Sequence, residues 1–160
     1  NENTMLNQLD QLSLAAEGRY ATEQELRLLK DYFPTINSRL SAYQKLRDGE
    51  AEIIAKLEAR MREKQPNIFQ MGDNDVTAMY QRDTKIVLRI AMAAMLIEDL
   101  DRLRESILLW QRTIVKAFQV QHIAALAHST MPEIVEQFLT PEEYVFVKPI
   151  LILNQTVLAD

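Results

Sequence analysis

The feature that most constrains this chain is one stretch, Asp73 to Ile97. It opens polar and closes almost entirely apolar: Asp-Asn-Asp-Val-Thr-Ala-Met-Tyr-Gln-Arg-Asp-Thr-Lys-Ile-Val-Leu-Arg-Ile-Ala-Met-Ala-Ala-Met-Leu-Ile. A helix that is apolar nearly all round must pack on several neighbours. At about 1.5 Å per residue it spans on the order of 35 Å, the width of a small domain. The stretch predicts a central helix over Asp75 to Ile97, capped from among Asp73, Asn74 and Asp75. The run Ile86 to Ile97 is too short to cross a membrane and carries Arg89. Ligand chemistry belongs in the polar half, where Tyr80, Arg82 and Asp83 lie.

The rest of the chain supplies helices to wrap around that core. Only three glycines and five prolines interrupt 160 residues, a length that suits one domain over residues 1–160. Met5, Leu6, Leu9, Leu12 and Ala16 recur at helical spacing and predict a helix from Thr4 to Ala16, ended by Gly18. Thr22 with Glu25 is a capping box for a second helix, with Leu26, Leu29 and Phe33 on one face. Pro34 breaks or kinks it and Thr35 restarts it. Ile36, Leu40, Tyr43 and Leu46 continue the apolar stripe to a corner at Asp48-Gly49. Glu50 to Lys64 is a helix with Ile53, Ile54, Leu57 and Met61 inward. Gln65 to Gly72 is a loop whose Ile68, Phe69 and Met71 fold down as a lid or plug. After the central helix, Leu100 to Phe118 gives one or two helices with Leu103, Ile107, Leu108, Trp110, Ile114 and Phe118 as the stripe. Val120 to His128 continues helically, and Thr130 with Glu133 marks a fresh helix start. Thr140-Pro-Glu-Glu143 marks another. Tyr144 to Ala159 is rich in Val and Ile, but its length and cap make it a buried helix kinked at Pro149. The pattern describes an all-α globule of the globin kind or an irregular bundle.

Composition removes several classes of function. There are 18 basic and 23 acidic residues, so nothing in the charge calls for nucleic acid or an anionic membrane as partner. The absence of cysteine excludes disulfides, thiolate metal sites, a Cys nucleophile and a thioether-linked cofactor. His122 and His128 are six apart and point to different helix faces, so no metal pair is expected. A single His could still hold a haem iron, against the plainer reading of a partly exposed polar residue. No Ser or Thr has a nearby His–acid pairing and no Gly-rich loop follows a strand, so no enzyme is expected. Tyr80 and Asp83 share a helix face, with Arg82 on the flank. Alone they read as a surface ion pair. An adjacent Arg and Asp also suit an extended planar ligand, Arg fixing a carboxylate and Asp accepting from ring N–H groups.

Val76-Thr-Ala-Met-Tyr-Gln-Arg-Asp83 resembles the phycobiliprotein segment Met-Thr-Ala-x-Cys-x-Arg-Asp, as found in allophycocyanin and phycocyanin subunits. Leu88-Arg89 resembles the family's Tyr-Leu-Arg. Ala16-Glu-Gly-Arg-Tyr20, with Glu25-Leu26 after it, resembles Ala-Glu-Ala-Arg-Tyr-Leu and the Glu-Leu that follows. Arg39-Leu40, Ile53-Ile54 and Arg62-Glu-Lys-Gln-Pro66 fall in step. The register holds from about Leu14 to the C-terminus, with a shorter loop before the central helix. The resemblance implies a globin-like fold with an N-terminal helical extension over about residues 1–20. It implies subunit pairing through that extension, at Glu17, Arg19 and Tyr20, with a second copy or another phycobiliprotein-like chain. It implies a place in phycobilisome light harvesting, in the cytoplasm, and allows one on the cytoplasmic face of the thylakoid membrane.

Three departures bear on the ligand. Tyr80 occupies the position of the bilin-carrying Cys. Ala and Met at Ala91 to Ala94 replace aromatic pocket residues, and Ala15 replaces an acidic pairing residue. Arg82 and Asp83 match the family's propionate-binding Arg and pyrrole-binding Asp. Two readings follow: a bilin held without a covalent bond by Arg82, Asp83, Tyr80 and Phe69, or an inherited ion pair beside a pocket that Tyr80 and Phe69 fill. The alternative function is a globin-like sensor or regulatory domain with haem, a fatty acid or no ligand in its cavity.

Overall fold

The computed structural model describes residues 4–158, apart from the side chains of residues 102, 106 and 107. Helix α1 (Met5–Ala15) starts where the Thr4 hydroxyl accepts from the Asn7 N–H. Helix α2 (Glu23–Tyr32) carries the complete capping box. The Glu25 N–H donates to Thr22 Oγ1 at 3.2 Å and the Thr22 N–H donates to Glu25 Oε2 at 2.8 Å. A single tight turn, Phe33–Thr35, absorbs Pro34 before α3 (Ile36–Asp48). Helix α4 (Glu50–Lys64) follows the Gly49 corner and buries Ile53, Ile54, Leu57 and Met61, the inward set read from its spacing.

The loop before the central helix contains a two-residue antiparallel ribbon absent from the sequence reading. Strand β1 (Gln70–Met71) pairs with β2 (Asn74–Asp75) around Gly72, whose φ of 59° needs no Cβ. The central helix α5 therefore spans Thr77–Ile97 and not Asp75–Ile97. Asp75 stays in the ribbon and accepts from the Thr77 N–H at 2.8 Å. Ile68 and Phe69 are buried beneath the ribbon, as the apolar loop implied, whereas Met71 is half-buried.

At its far end α5 stops with Glu98 in the left-handed region, φ 55°. Two side chains from other helices take its last carbonyls. Arg39 Nη1 donates to the Met95 carbonyl at 2.7 Å and the Tyr32 hydroxyl donates to the Leu96 carbonyl at 2.6 Å. This corrects the predicted stripes on α2 and α3. Tyr32, Arg39, Ala42 and Leu46 are buried there, while Phe33, Ile36 and Leu40 are exposed. Arg39 is affordable inside because its charge meets a carbonyl, the Glu98 carboxylate at 3.5 Å and the Phe146 ring at 4.6 Å.

After α5 the chain makes one helical turn, α6 (Leu100–Arg102). It widens into a π-helical turn over Leu103–Leu108, then tightens into α7 (Leu109–Ala117). Leu103, Leu108 and Val115 are buried, but Trp110 and Phe118 are exposed and Ile114 half-buried, against the predicted stripe. The side chain of Ile107 lies outside the described residues. Helix α8 (Gln121–Val135) runs without a break through Pro132, so no new helix starts at Thr130. Both presumed capping residues are turned to α4. Lys64 Nζ donates to the wholly buried Thr130 hydroxyl at 3.1 Å, and Glu133 pairs with Arg60 at 3.2 Å. Helix α9 (Pro141–Leu158) starts at the predicted capping box, the Thr140 N–H donating to Glu143 Oε2 at 2.8 Å. Pro149 lies inside it, and Ala159 lies outside the described residues. Helix α8 packs on α4 and α9, and α3 packs on α5 and α9, closing one core around the apolar half of α5.

Candidate functional site

The polar half of α5 faces two ways. One face meets the ribbon and the last turn of α4. There the Tyr80 and Phe69 rings lie 4.7 Å apart between centroids, tilted by 37°. The Arg62 guanidinium lies 4.8 Å from the Phe69 centroid. Arg62 also donates to Thr77 Oγ1 at 2.9 Å and to Glu58 at 3.0 Å, and Gln81 reaches the same Glu58 at 2.7 Å. Tyr80 is 5% exposed and Phe69 1%, so both rings are core residues.

The other face lines a small cleft of about 50 Å³ among α5, α7 and α8, with Leu158 of α9 also in its wall. Tyr80, Asp83, Thr84 and Val87 come from α5, Gln111 and Val115 from α7, and His128 with Ile123 and Ala127 from α8. The Tyr80 hydroxyl is shut off from solvent and has no hydrogen-bond partner. Burial pushes its pKa up, and Thr84, one turn on, pulls the other way without completing a bond to it. Burial pushes the His128 imidazole down to about 4. Near neutral pH the Tyr80 phenol and the His128 imidazole are therefore both uncharged. His128 is buried, which corrects its reading as partly exposed, whereas His122 is exposed.

The predicted ligand residues thus separate. Tyr80 and Phe69 are brought together inside. Arg82 projects outward with 68% of its side chain exposed, and its Nε donates to Asp83 Oδ1 at 2.9 Å. Asp83, 27% exposed, lines the cleft as well. Gln111, Thr84 and His128 were missed as site residues. Their signal was available: each is a polar residue on an otherwise apolar face, one turn from Val115, Val87 and Ala124 respectively. No cluster among the described residues could hold a metal ion.

At the opposite end of the molecule, α1 and α2 stand off the body and enclose an open groove of about 1030 Å³. Gln8, Gln11, Leu28, Asp31, Arg39 and Phe146 are among its walls. Helix α1 buries none of its residues, and Leu6 and Leu14 are exposed. Glu17 is exposed, Tyr20 is 97% exposed, and Arg19 is turned back onto Glu25 through two bonds of 2.8 and 3.1 Å.

The sequence profile described as phycobilisome protein matches residues 12–154. The chain belongs to the phycobilisome protein family. Its all-helical, globin-like fold is the family's, and so is a light-harvesting context. This phycobilisome protein has no cysteine with which to attach a bilin. Phycobiliproteins associate with one another, and no helix among the described residues is long and apolar enough to cross a membrane. No individually curated protein is a match for this phycobilisome protein.

Proposed function

We propose that this phycobilisome protein is a non-enzymatic assembly subunit that carries no bilin, covalent or non-covalent. One observation carries the reading: the Tyr80 ring packs on Phe69 in the position that corresponds to the bilin-bearing cysteine. The two rings occupy the volume a pyrrole would need, and the space that remains is about 50 Å³. Ligands of drug size need cavities of roughly 300 Å³ or more. A tetrapyrrole is larger still, and haem would meet the same obstacle beside His128. Arg82 and Asp83 then act as a solvated ion pair and not as ligand clamps.

The subunit's partner is a second copy or another phycobiliprotein-like chain, received by the N-terminal helices with Glu17, Arg19 and Tyr20. Helix α1 supports this, because a terminal helix with no buried residue gains little by lying on its own domain. The test is an absorption spectrum of protein purified from cells that make both bilin and haem. Colourless protein is expected. A visible band that copurifies stoichiometrically and is lost in Asp83→Ala would overturn the chromophore-free reading.

A further inference from the structure

The cleft among α5, α7 and α8 holds more polar groups than a packed core tolerates. The Tyr80 hydroxyl is buried without a partner. Gln111 and His128, 9% and 7% exposed, line the same space, and neither side chain has a hydrogen bond to a described residue. Buried polar groups are nearly always satisfied, so an orphaned hydroxyl facing a cavity whose wall also carries an amide and an imidazole points to a missing partner. That partner has to be small. At 10–15 Å³ per water, about 50 Å³ seats about four water-sized atoms. It also has to be uncharged: the Asp83 carboxylate in the wall is already paired with Arg82, and the phenol, carboxamide, imidazole and Thr84 hydroxyl offer donors and acceptors but no net charge, in a wall otherwise apolar.

We infer that this cleft is a binding site for a small uncharged molecule of the amide type, held by Tyr80, Gln111 and His128. An amide carbonyl accepts from the Tyr80 hydroxyl or the Gln111 amide, and the amide N–H groups donate to the imidazole or to the Gln111 carbonyl. A carboxylate of equal size is excluded, because it would be stripped of water with no cation to receive it. The inference rests on the reading that no tetrapyrrole occupies this region.

The probes are acetamide and its charged isostere acetate, titrated into the full chain and followed by amide NMR shifts. The sample is first checked for visible absorption. A coloured protein overturns the chromophore-free reading, whereas a colourless protein that ignores acetamide overturns this inference alone. The expected result is saturable shifts confined to residues around Tyr80, Gln111 and His128 with acetamide, and none with acetate. Tyr80→Phe keeps the ring against Phe69 and should weaken acetamide binding about tenfold, the worth of one hydrogen bond. Gln111→Leu should do the same. Equal response to acetate, shifts that never saturate, water alone in the cleft, or unchanged affinity in both variants would each overturn the proposal.

Discussion

Mild acid should destabilise this protein through His128. A histidine in the unfolded chain titrates near 6.5, and the buried imidazole titrates near 4. Between those values the unfolded chain binds a proton that the folded chain refuses. Stability from this group is therefore fully present above about pH 6.5 and falls as pH falls towards 4. The gap between about 6.5 and about 4, at about 1.4 kcal/mol per pH unit, amounts to about 3.5 kcal/mol, of which about 2 is lost by pH 5. That is a large share of the stability of an ordinary domain. Among the described residues Asp83 is the one acidic group lining the cleft, and it is engaged by Arg82, so it offers the imidazolium little compensation. Glu143 acts in a different window. Burial opposes its ionisation, but Lys45, Ser41 and the Thr140 N–H overcome that and hold it near 2. Its contribution is present above the usual carboxylate range and lost only as pH falls towards 2.

The assay is urea unfolding followed by circular dichroism at about pH 7, 6 and 5, for the wild type and for His128→Gln. The wild-type midpoint should fall across this range with an unchanged slope. The variant should start lower and stay level, since its amide does not titrate. A wild type as stable at pH 5 as at pH 7, or an equal loss in His128→Gln, would refute the reasoning.

Tyr80→Cys should cost about 2–4 kcal/mol by emptying the space beside Phe69. Co-expressed with a bilin pathway it should still give no fluorescent band on a denaturing gel with zinc, and a bright band at this mass would show an intact chromophore cavity. Arg39→Met should cost about 2–3 kcal/mol in thermal or denaturant unfolding, because the Met95 carbonyl loses its donor; an unchanged melt would sink the clamp at the end of α5. Deleting residues 1–16 should abolish self- or partner association in sedimentation, and an identical profile would count against pairing through α1.

Much of the fold was legible because it follows from local chemistry. The capping boxes at Thr22 and Thr140 use residues three apart, and the buried set of α4 follows its own period. The misses have long-range causes. The π-helical turn at Leu103–Leu108 advances the phase by about one residue. Counting in steps of three or four from Leu103 leads to Ile107, Trp110, Ile114 and Phe118. The widened turn leads instead to Leu108, Gln111 and Val115, which are the buried residues. Arg39 is inside because the end of a helix 56 residues away presents a carbonyl to it, and no local pattern encodes that. Thr130 and Glu133 satisfy a capping rule on paper, but α4 claims both side chains. The candidate site divides in the same way. Tyr80 and Phe69 could be paired from the resemblance, whereas the gathering of Gln111 and His128 around Tyr80 depends on how α7 and α8 dock.

Tyr80 raises a last question of energy. A phenylalanine would supply the same ring contact with Phe69 and would carry no hydroxyl into the core. In an empty cleft that hydroxyl is a burden, because a buried donor without a partner costs about 1–3 kcal/mol. Tyr80→Phe should then raise the stability of the protein. A molecule seated in the cleft reverses the sign, since the hydroxyl becomes one of its donors and the variant loses that bond. The effect of Tyr80→Phe is therefore expected to depend on what is dissolved with the protein. In plain buffer the variant should melt at or above the wild-type temperature. With saturating acetamide the wild type should gain stability through binding to the native state, and the variant should gain less. Thermal melts of both chains, with and without acetamide, give the four numbers. A variant that is destabilised equally in both solutions would mean that the hydroxyl already has a partner within the protein, and the cleft would then be only a packing defect beside two tilted rings.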